Sequence, residues 1–368
     1  LDDTFAFIIH PIDPKRDVAR KFPTLARILP VPAIDFFSLF FPPIYLSEIR
    51  GIRSAASGRS LRGWFIACPL TPARFLRLPP AVVYRKIAAC GRMAERLGAR
   101  LLGLGAYTSV VGDAGVSVAR RLRIPVTTGD SYTVAMALRG LYEGARRVGI
   151  LPREATAAVV GAGGAIGSAC AELLARDVAR LVLVGRRPET LGAVAARAAG
   201  QGAAVEVAGE LAALRAADLV IAVSSALEAL IEPEHLRAGA VVCDVARPRD
   251  VSRRVAEQRP DVLVVEGGMV AVPGPVDFGF DFGFPPGMAY ACMAETMVLA
   301  LAGRYESYTL GKSIAVAQVE AIERLAEEHG FRLGGLRSFE RAVTEDEIAN
   351  VRARARERRL AAGAAGPA

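Results

Sequence analysis

VVGAGGAIGSA, residues 159–169, continues a β-branched run that begins at Thr156 and opens an alanine-rich stretch of helical character. Glycines between a strand and a helix serve a phosphate site: Gly161 lets the chain turn sharply, Gly163 and Gly164 bring backbone N–H groups close to a pyrophosphate, and Gly167 lets the helix pack on the strand. Ala162, Ala165 and Ile166 complete the loop. The spacing departs from G-x-G-x-x-G, since Ile166 holds the final glycine position and Gly167 follows it. Outward from this turn, residues 155–268 alternate TAAVVG, RLVLVG, AAVEVAG, DLVIAVSS, AVVCDVA and DVLVVEGG with helical stretches. That alternation predicts a doubly wound parallel sheet of about six strands, a dinucleotide-binding (Rossmann) domain. Roughly twenty residues after the turn, where an acidic residue would meet a ribose hydroxyl, stand Arg186 and Arg187, which suit a 2′-phosphate and hence NADPH. Val223, Ser224 and Ser225 follow the fourth strand, where a nicotinamide would sit, although serines there also cap helices.

The rest of the chain sets bounds. With 368 residues and 52% hydrophobic content, it has material for two cores. Five cysteines lie far apart without C-x-x-C or zinc-ligand spacing, and Asp2 and Asp3 open the sequence in place of a basic leader, so the expectation is a cytoplasmic protein with reduced thiols. The net charge of +8 favours acidic partners. Without aromatic–basic interleaving it does not point to nucleic acid. Residues 28–46 are apolar enough to suggest a membrane span, but four prolines and Asp35 exclude one regular helix, leaving contact with a lipid or acyl chain. The histidines at 10, 235 and 329 read as solvated surface residues.

Four segments are expected: an N-terminal α/β substrate domain over 1–150, the nucleotide domain over 151–272, a lid loop with C-terminal helices over 273–335 that complete the substrate domain, and a basic, partly disordered tail over 336–368. Helices are expected at 287–302 and 309–329. The first carries Cys292 among alanines and methionines, where a cysteine ordinarily fills space. A nearby helix N-terminus would instead stabilise its thiolate. With no histidine close in sequence, such a thiol suits an activated carbonyl, such as a thioester, better than an amide. Tyr107, Thr108 and Ser109 form one polar turn and Thr127, Thr128 and Gly129 another, each able to face an oxyanion or to cap a helix.

LGLGAYTSVV (102–111), VTTGDSYTVA (126–135), VGAGGAIGSA (160–169), AYACMAETMVLALAG (289–303) and VEAIERLAEEHGF (319–331) together resemble the long-chain acyl-[acyl-carrier-protein] reductases of cyanobacteria. The resemblance implies NADPH-dependent reduction of a fatty acyl thioester, acyl-ACP or acyl-CoA, to an aldehyde, with Cys292 forming the acyl-enzyme. It further implies a divalent cation, to which no ligand cluster answers, and an aldehyde-consuming partner enzyme. Lys312 stands where that family carries an arginine and joins the substrate-site candidates. FFSLFFPPIY and FGFDFGF would line an acyl channel or simply pack. Two other readings remain open: a shikimate- or amino-acid-dehydrogenase-like enzyme that transfers hydride directly, and a nucleotide-binding protein without catalysis.

Overall fold

The computed structural model describes residues 3–226 and 228–364. Two compact units divide the chain: Leu1–Tyr132 with Val270–Arg332, and Thr133–Met269 with Leu333–Ala368.

The first unit is built on a five-stranded sheet of β1 (Asp3–Ile9), β2 (Ile44–Arg53), β3 (Ser60–Ala67), β4 (Leu102–Leu104) and β5 (Val126–Thr127), in the order β2-β3-β1-β4-β5. β2 runs antiparallel to β3 and the remaining pairs are parallel. FAFII in β1 is apolar on both faces because both are covered. β2 escapes the sequence reading because Glu48, Arg50 and Arg53 interrupt its apolar alternation, as suits an edge strand. The helix Pro80–Leu97 buries Val83, Ile87, Cys90 and Ala94, one stripe at helical spacing, and stops at left-handed Gly98. The helix Ala291–Leu301 lies against β1 and β4. The apolar region at 28–46 resolves into the end of one short helix, Pro23–Ile28, a second, Val31–Ser38, and the start of β2, with proline in the first turn of each helix. Phe278 and Phe282, from the segment expected to be a lid, pack on Phe65 with ring centroids 5.8 and 5.3 Å away.

The second unit holds six parallel strands, β6 (Thr156–Val160), β7 (Arg180–Val184), β8 (Ala204–Ala208), β9 (Leu219–Ala222), β10 (Val241–Asp244) and β11 (Leu263–Glu266). Their order, β11-β10-β9-β6-β7-β8, reverses direction between β6 and β9 and leaves a crevice beyond the strand ends there. This is the expected doubly wound Rossmann domain. Its boundary, however, falls at Thr133, inside the helix Asp130–Val148, and not at the linker near 150. Glycine explains the difference: Gly140 sits beside the Cys243 sulfur, and a Cβ on Gly144 would come within 2.8 Å of Val241, so the later turns of this helix pack onto β10. The C-terminal segment is likewise no loose tail. Glu345–Ala364 is a helix whose Ala355 backbone lies against Gly239, while Asn350 donates to the Pro260 carbonyl at 2.7 Å and Arg358 pairs with Asp218. The expected disorder at its extreme end falls on residues 365–368, outside those described.

Candidate functional site

In the second unit, the glycine turn has the geometry its sequence predicts. Gly161 adopts φ +84°, and a Cβ there would lie 2.8 Å from the Val223 carbonyl oxygen, so the turns after β6 and β9 touch through backbone alone. A Cβ on Gly167 would stand 2.3 Å from the Gly161 oxygen, which fixes the helix Ala165–Leu174 against the strand end. Gly164 caps that helix, with the first N–H groups left for an anion, and Gly163 is held open beside Thr190. A pyrophosphate fits this cradle. Arg186 and Arg187 are exposed immediately after β7. Ser224 is committed differently from expectation: its N–H and hydroxyl both donate to buried Asp250, at 2.7 and 2.5 Å, leaving Ser225 as the exposed hydroxyl of the pair. Burial raises the Asp250 pKa, and the two Ser224 bonds oppose that rise.

In the first unit, Cys292 is the second residue of the helix Ala291–Leu301, since 288–290 forms a short strand where the sequence suggested helix. Every other residue of this helix is buried, and only Cys292 is partly exposed. The four other cysteines are buried. Behind it lies Gly129 at φ +79°, where a Cβ would fall 2.3 Å from the Cys292 Cα. The thiol is nevertheless not the thiolate that its place at a helix N-terminus suggested. Burial first, then the charge of Asp130, pushes it up to about 12, against the opposing Met293 N–H. Asp130 is itself raised to about 7 by burial and by Glu295.

Glu295 is the residue sequence reasoning missed. Its carboxylate accepts from Thr127 Oγ1 at 2.5 Å, Thr309 Oγ1 at 2.9 Å and the Tyr132 N–H at 2.8 Å, within a fully buried network that Ser131 extends to Thr309. Burial raises its pKa, and these donors hold it down. An acidic residue in ACMAETMVLAL was the available signal, because a lone carboxylate in an apolar helix needs partners.

The structure therefore seats Gly129 against Cys292 and ties Thr127 to Glu295, with the Thr128 hydroxyl buried between them in sequence, while the other polar turn is committed to its own backbone. Thr108 Oγ1 donates to the Gly105 carbonyl and Ser109 Oγ to that of Ala106, so both hydroxyls serve their own turn. The Tyr107 hydroxyl is buried without a partner. Its N–H donates to His10 Nε2 at 3.1 Å, with His10 Nδ1 3.1 Å from the Pro11 carbonyl; this pattern fixes the Nδ1–H tautomer. His10 and His329 are thus buried, contrary to the surface positions expected, because each has backbone or serine partners inside; His329 Nδ1 meets Ser54 Oγ at 2.8 Å. His235 is partly exposed, its Nδ1 accepting from the Glu232 N–H. Lys312 is exposed and takes no part in the Glu295 network. Among the described residues no group of His, Cys, Asp or Glu is arranged to hold a metal ion.

The family model described as shikimate / quinate 5-dehydrogenase matches residues 145–265. The aminotransferase PigE of a Serratia species is 30% identical over 306 residues, covering 81% of this chain but 35% of PigE, so the chain spans about a third of that relative. A long-chain acyl-[acyl-carrier-protein] reductase of Synechococcus elongatus is 28% identical over 306 residues, 79% of this chain and 87% of the relative. Among solved structures, L-tryptophan dehydrogenase from Nostoc punctiforme aligns over 96% of this chain and 88% of its own at 13% identity, with a TM-score of 0.40. The chain carries an NAD(P)-binding domain of Rossmann fold and is distantly related to the shikimate/quinate dehydrogenases and to acyl-[acyl-carrier-protein] reductase.

Proposed function

We propose that the chain reduces a long-chain fatty acyl thioester to a fatty aldehyde at the expense of NADPH, with Cys292 carrying the acyl group. The supporting observation is its position: a cysteine that is the one partly exposed residue of an otherwise buried helix, seated on a glycine turn. The thiol rests protonated and must give up its proton to attack, and a thioester suits it because exchanging one sulfur for another costs little. In the first step the Cys292 sulfur bonds to the acyl carbon, the bond to the carrier sulfur breaks, and the proton from Cys292 ends on the departing carrier thiol. When bound, the reduced nicotinamide supplies the hydride. With one proton from solvent, the resulting thiohemiacetal on Cys292 collapses to free aldehyde and returns the thiol. Thr128, Gly129 and the unpartnered Tyr107 hydroxyl are the groups assigned to the substrate carbonyl; Thr108 and Ser109 hold their own turn. Gly161 to Gly167 cradle the pyrophosphate, Arg186 and Arg187 meet the 2′-phosphate, and Val223 with Ser225 borders the nicotinamide. Lys312 and the net positive charge would face an acyl carrier protein or the phosphates of coenzyme A.

A second reading is direct hydride transfer to a small substrate without a covalent intermediate. The match of the nucleotide-binding region to shikimate / quinate dehydrogenase favours it more than the first. The raised Cys292 pKa fits it too. One experiment separates the two: incubation with NADPH and a long-chain acyl-CoA, following absorbance at the nicotinamide band, aldehyde release and intact mass. The thioester reading expects a mass increment of one acyl group that Cys292→Ala abolishes, with NADPH binding retained. Undiminished turnover in that variant removes it.

A further inference from the structure

The first unit carries an apolar surface that neither the crevice nor the thiol site uses. Ile28 and Phe40 are 71% and 69% exposed, and Val31, Phe36, Phe37 and Phe41 between and beside them are each more than two-fifths exposed. Phe36 gathers the group, its ring centroid 5.5 Å from those of both Phe37 and Phe40. Isolated exposed apolar residues are ordinary, but a run of this kind within fourteen positions of one short-helix segment marks a binding surface.

What surrounds it is basic. Asp35, the acidic residue in the segment, is neutralised by Arg74 at 2.8 Å and accepts from Thr71, which ties the helix Val31–Ser38 to the helix Pro72–Arg77. Lys86 on the helix Pro80–Leu97 donates to the Phe41 carbonyl at 2.9 Å and so places that helix at the other side of the phenylalanines. On the two helices so connected, Leu76 and Arg77 are exposed near the end of the first and Arg85 is exposed beside Lys86 on the second, while exposed Arg27 precedes Ile28 in the chain. Between Arg62 and Glu95 the chain has no acidic residue. Among the described residues no helix is long and apolar enough to cross a membrane.

We propose that this face docks on an anionic lipid bilayer, with the phenylalanines and Ile28 entering the interface between headgroups and acyl chains and Arg27, Arg77, Arg85 and Lys86 meeting lipid phosphates. Aromatic side chains with a basic rim suit that boundary, where a ring is half in hydrocarbon and a cation reaches outward. A shallow surface contact of this kind adds attraction from each basic residue and weakens with salt. It stands independently of the reaction assigned to Cys292.

The test is flotation of the full chain with vesicles of phosphatidylcholine alone and of phosphatidylcholine with about a third phosphatidylglycerol. Binding to the anionic vesicles should exceed binding to neutral ones by about tenfold and fall steeply with added salt. Phe36→Ala with Phe40→Ala, and separately Arg27→Glu with Arg77→Glu, should each lower it about tenfold. Both pairs are exposed, and unchanged circular dichroism and melting confirm that they fold. Three results overturn the proposal: no flotation of folded protein with anionic vesicles, flotation that both double variants leave intact, or loss of binding to an acidic carrier protein in the phenylalanine variant with no vesicle binding by the parent.

Discussion

At the level of single residues, the chemistry of the candidate site depends on two carboxyl groups beside one thiol. Asp130 titrates near neutrality because burial and Glu295 oppose its charge, and once ionised it opposes the Cys292 thiolate. Asp130→Asn removes that opposition while keeping the shape. Alkylation of Cys292 by iodoacetamide should then accelerate several-fold at fixed pH, its pH profile moving to lower pH, with the buried cysteines silent; a profile superposable on that of the parent would show that Asp130 does not act on the thiol. Cys292 itself was visible in the sequence, but its protonation state was not. A helix N-terminus can be read from PPG before an apolar run, whereas Asp130 reaches Cys292 by tertiary packing from 162 positions away, and Glu295, three positions on in the same helix, acts through its burial.

Among the elements, the turn after β6 and the turn after β7 were fully legible, because their demands are local: a glycine where φ is positive, a glycine where helix meets strand, and a pair of arginines at a strand end. Replacing Arg186 and Arg187 together by alanine should raise the apparent Kd for NADPH by about tenfold or more and leave NADH binding nearly unchanged, as measured by fluorescence titration. Equal losses for both nucleotides would mean the arginines do not read the 2′-phosphate. Strand β2 was not legible, since an edge strand with one solvated face carries charges where a central strand cannot. The short helices of residues 23–38 were hidden for another reason: each has a proline in its first turn, and proline reads as a break whether it ends a helix or starts one.

For the molecule as a whole, buried titratable groups set opposing trends of stability with pH. Burial lowers the His10 pKa from 6.5 to about 4, so the unfolded chain takes up more protons between those values. Its contribution is present above pH 6.5 and is lost as pH falls towards 4, an effect of about 3 kcal/mol. Asp130 and Asp244, raised from 3.8 to about 7 and about 6, have the opposite sign: their protonated folded forms stabilise at low pH, and that contribution declines as pH rises through the same range. The parent should therefore show a flattened profile. His10→Gln, which can still accept from Tyr107 and donate to Pro11, should be penalised less at pH 4 than at pH 6.5 by up to about 3 kcal/mol in urea unfolding; a pH-independent difference would exclude a neutral, buried His10.

The first unit is assembled from residues on both sides of Thr133–Met269, and the helix that covers β1 and β4 is made only after that region. A nascent chain thus holds a half-covered sheet, with Gly103 and Gly129 waiting for Thr296 and Cys292, through the whole synthesis of the intervening nucleotide-binding region. Its biogenesis should accordingly depend on folding helpers that shield apolar strands until the helix Ala291–Leu301 has been made.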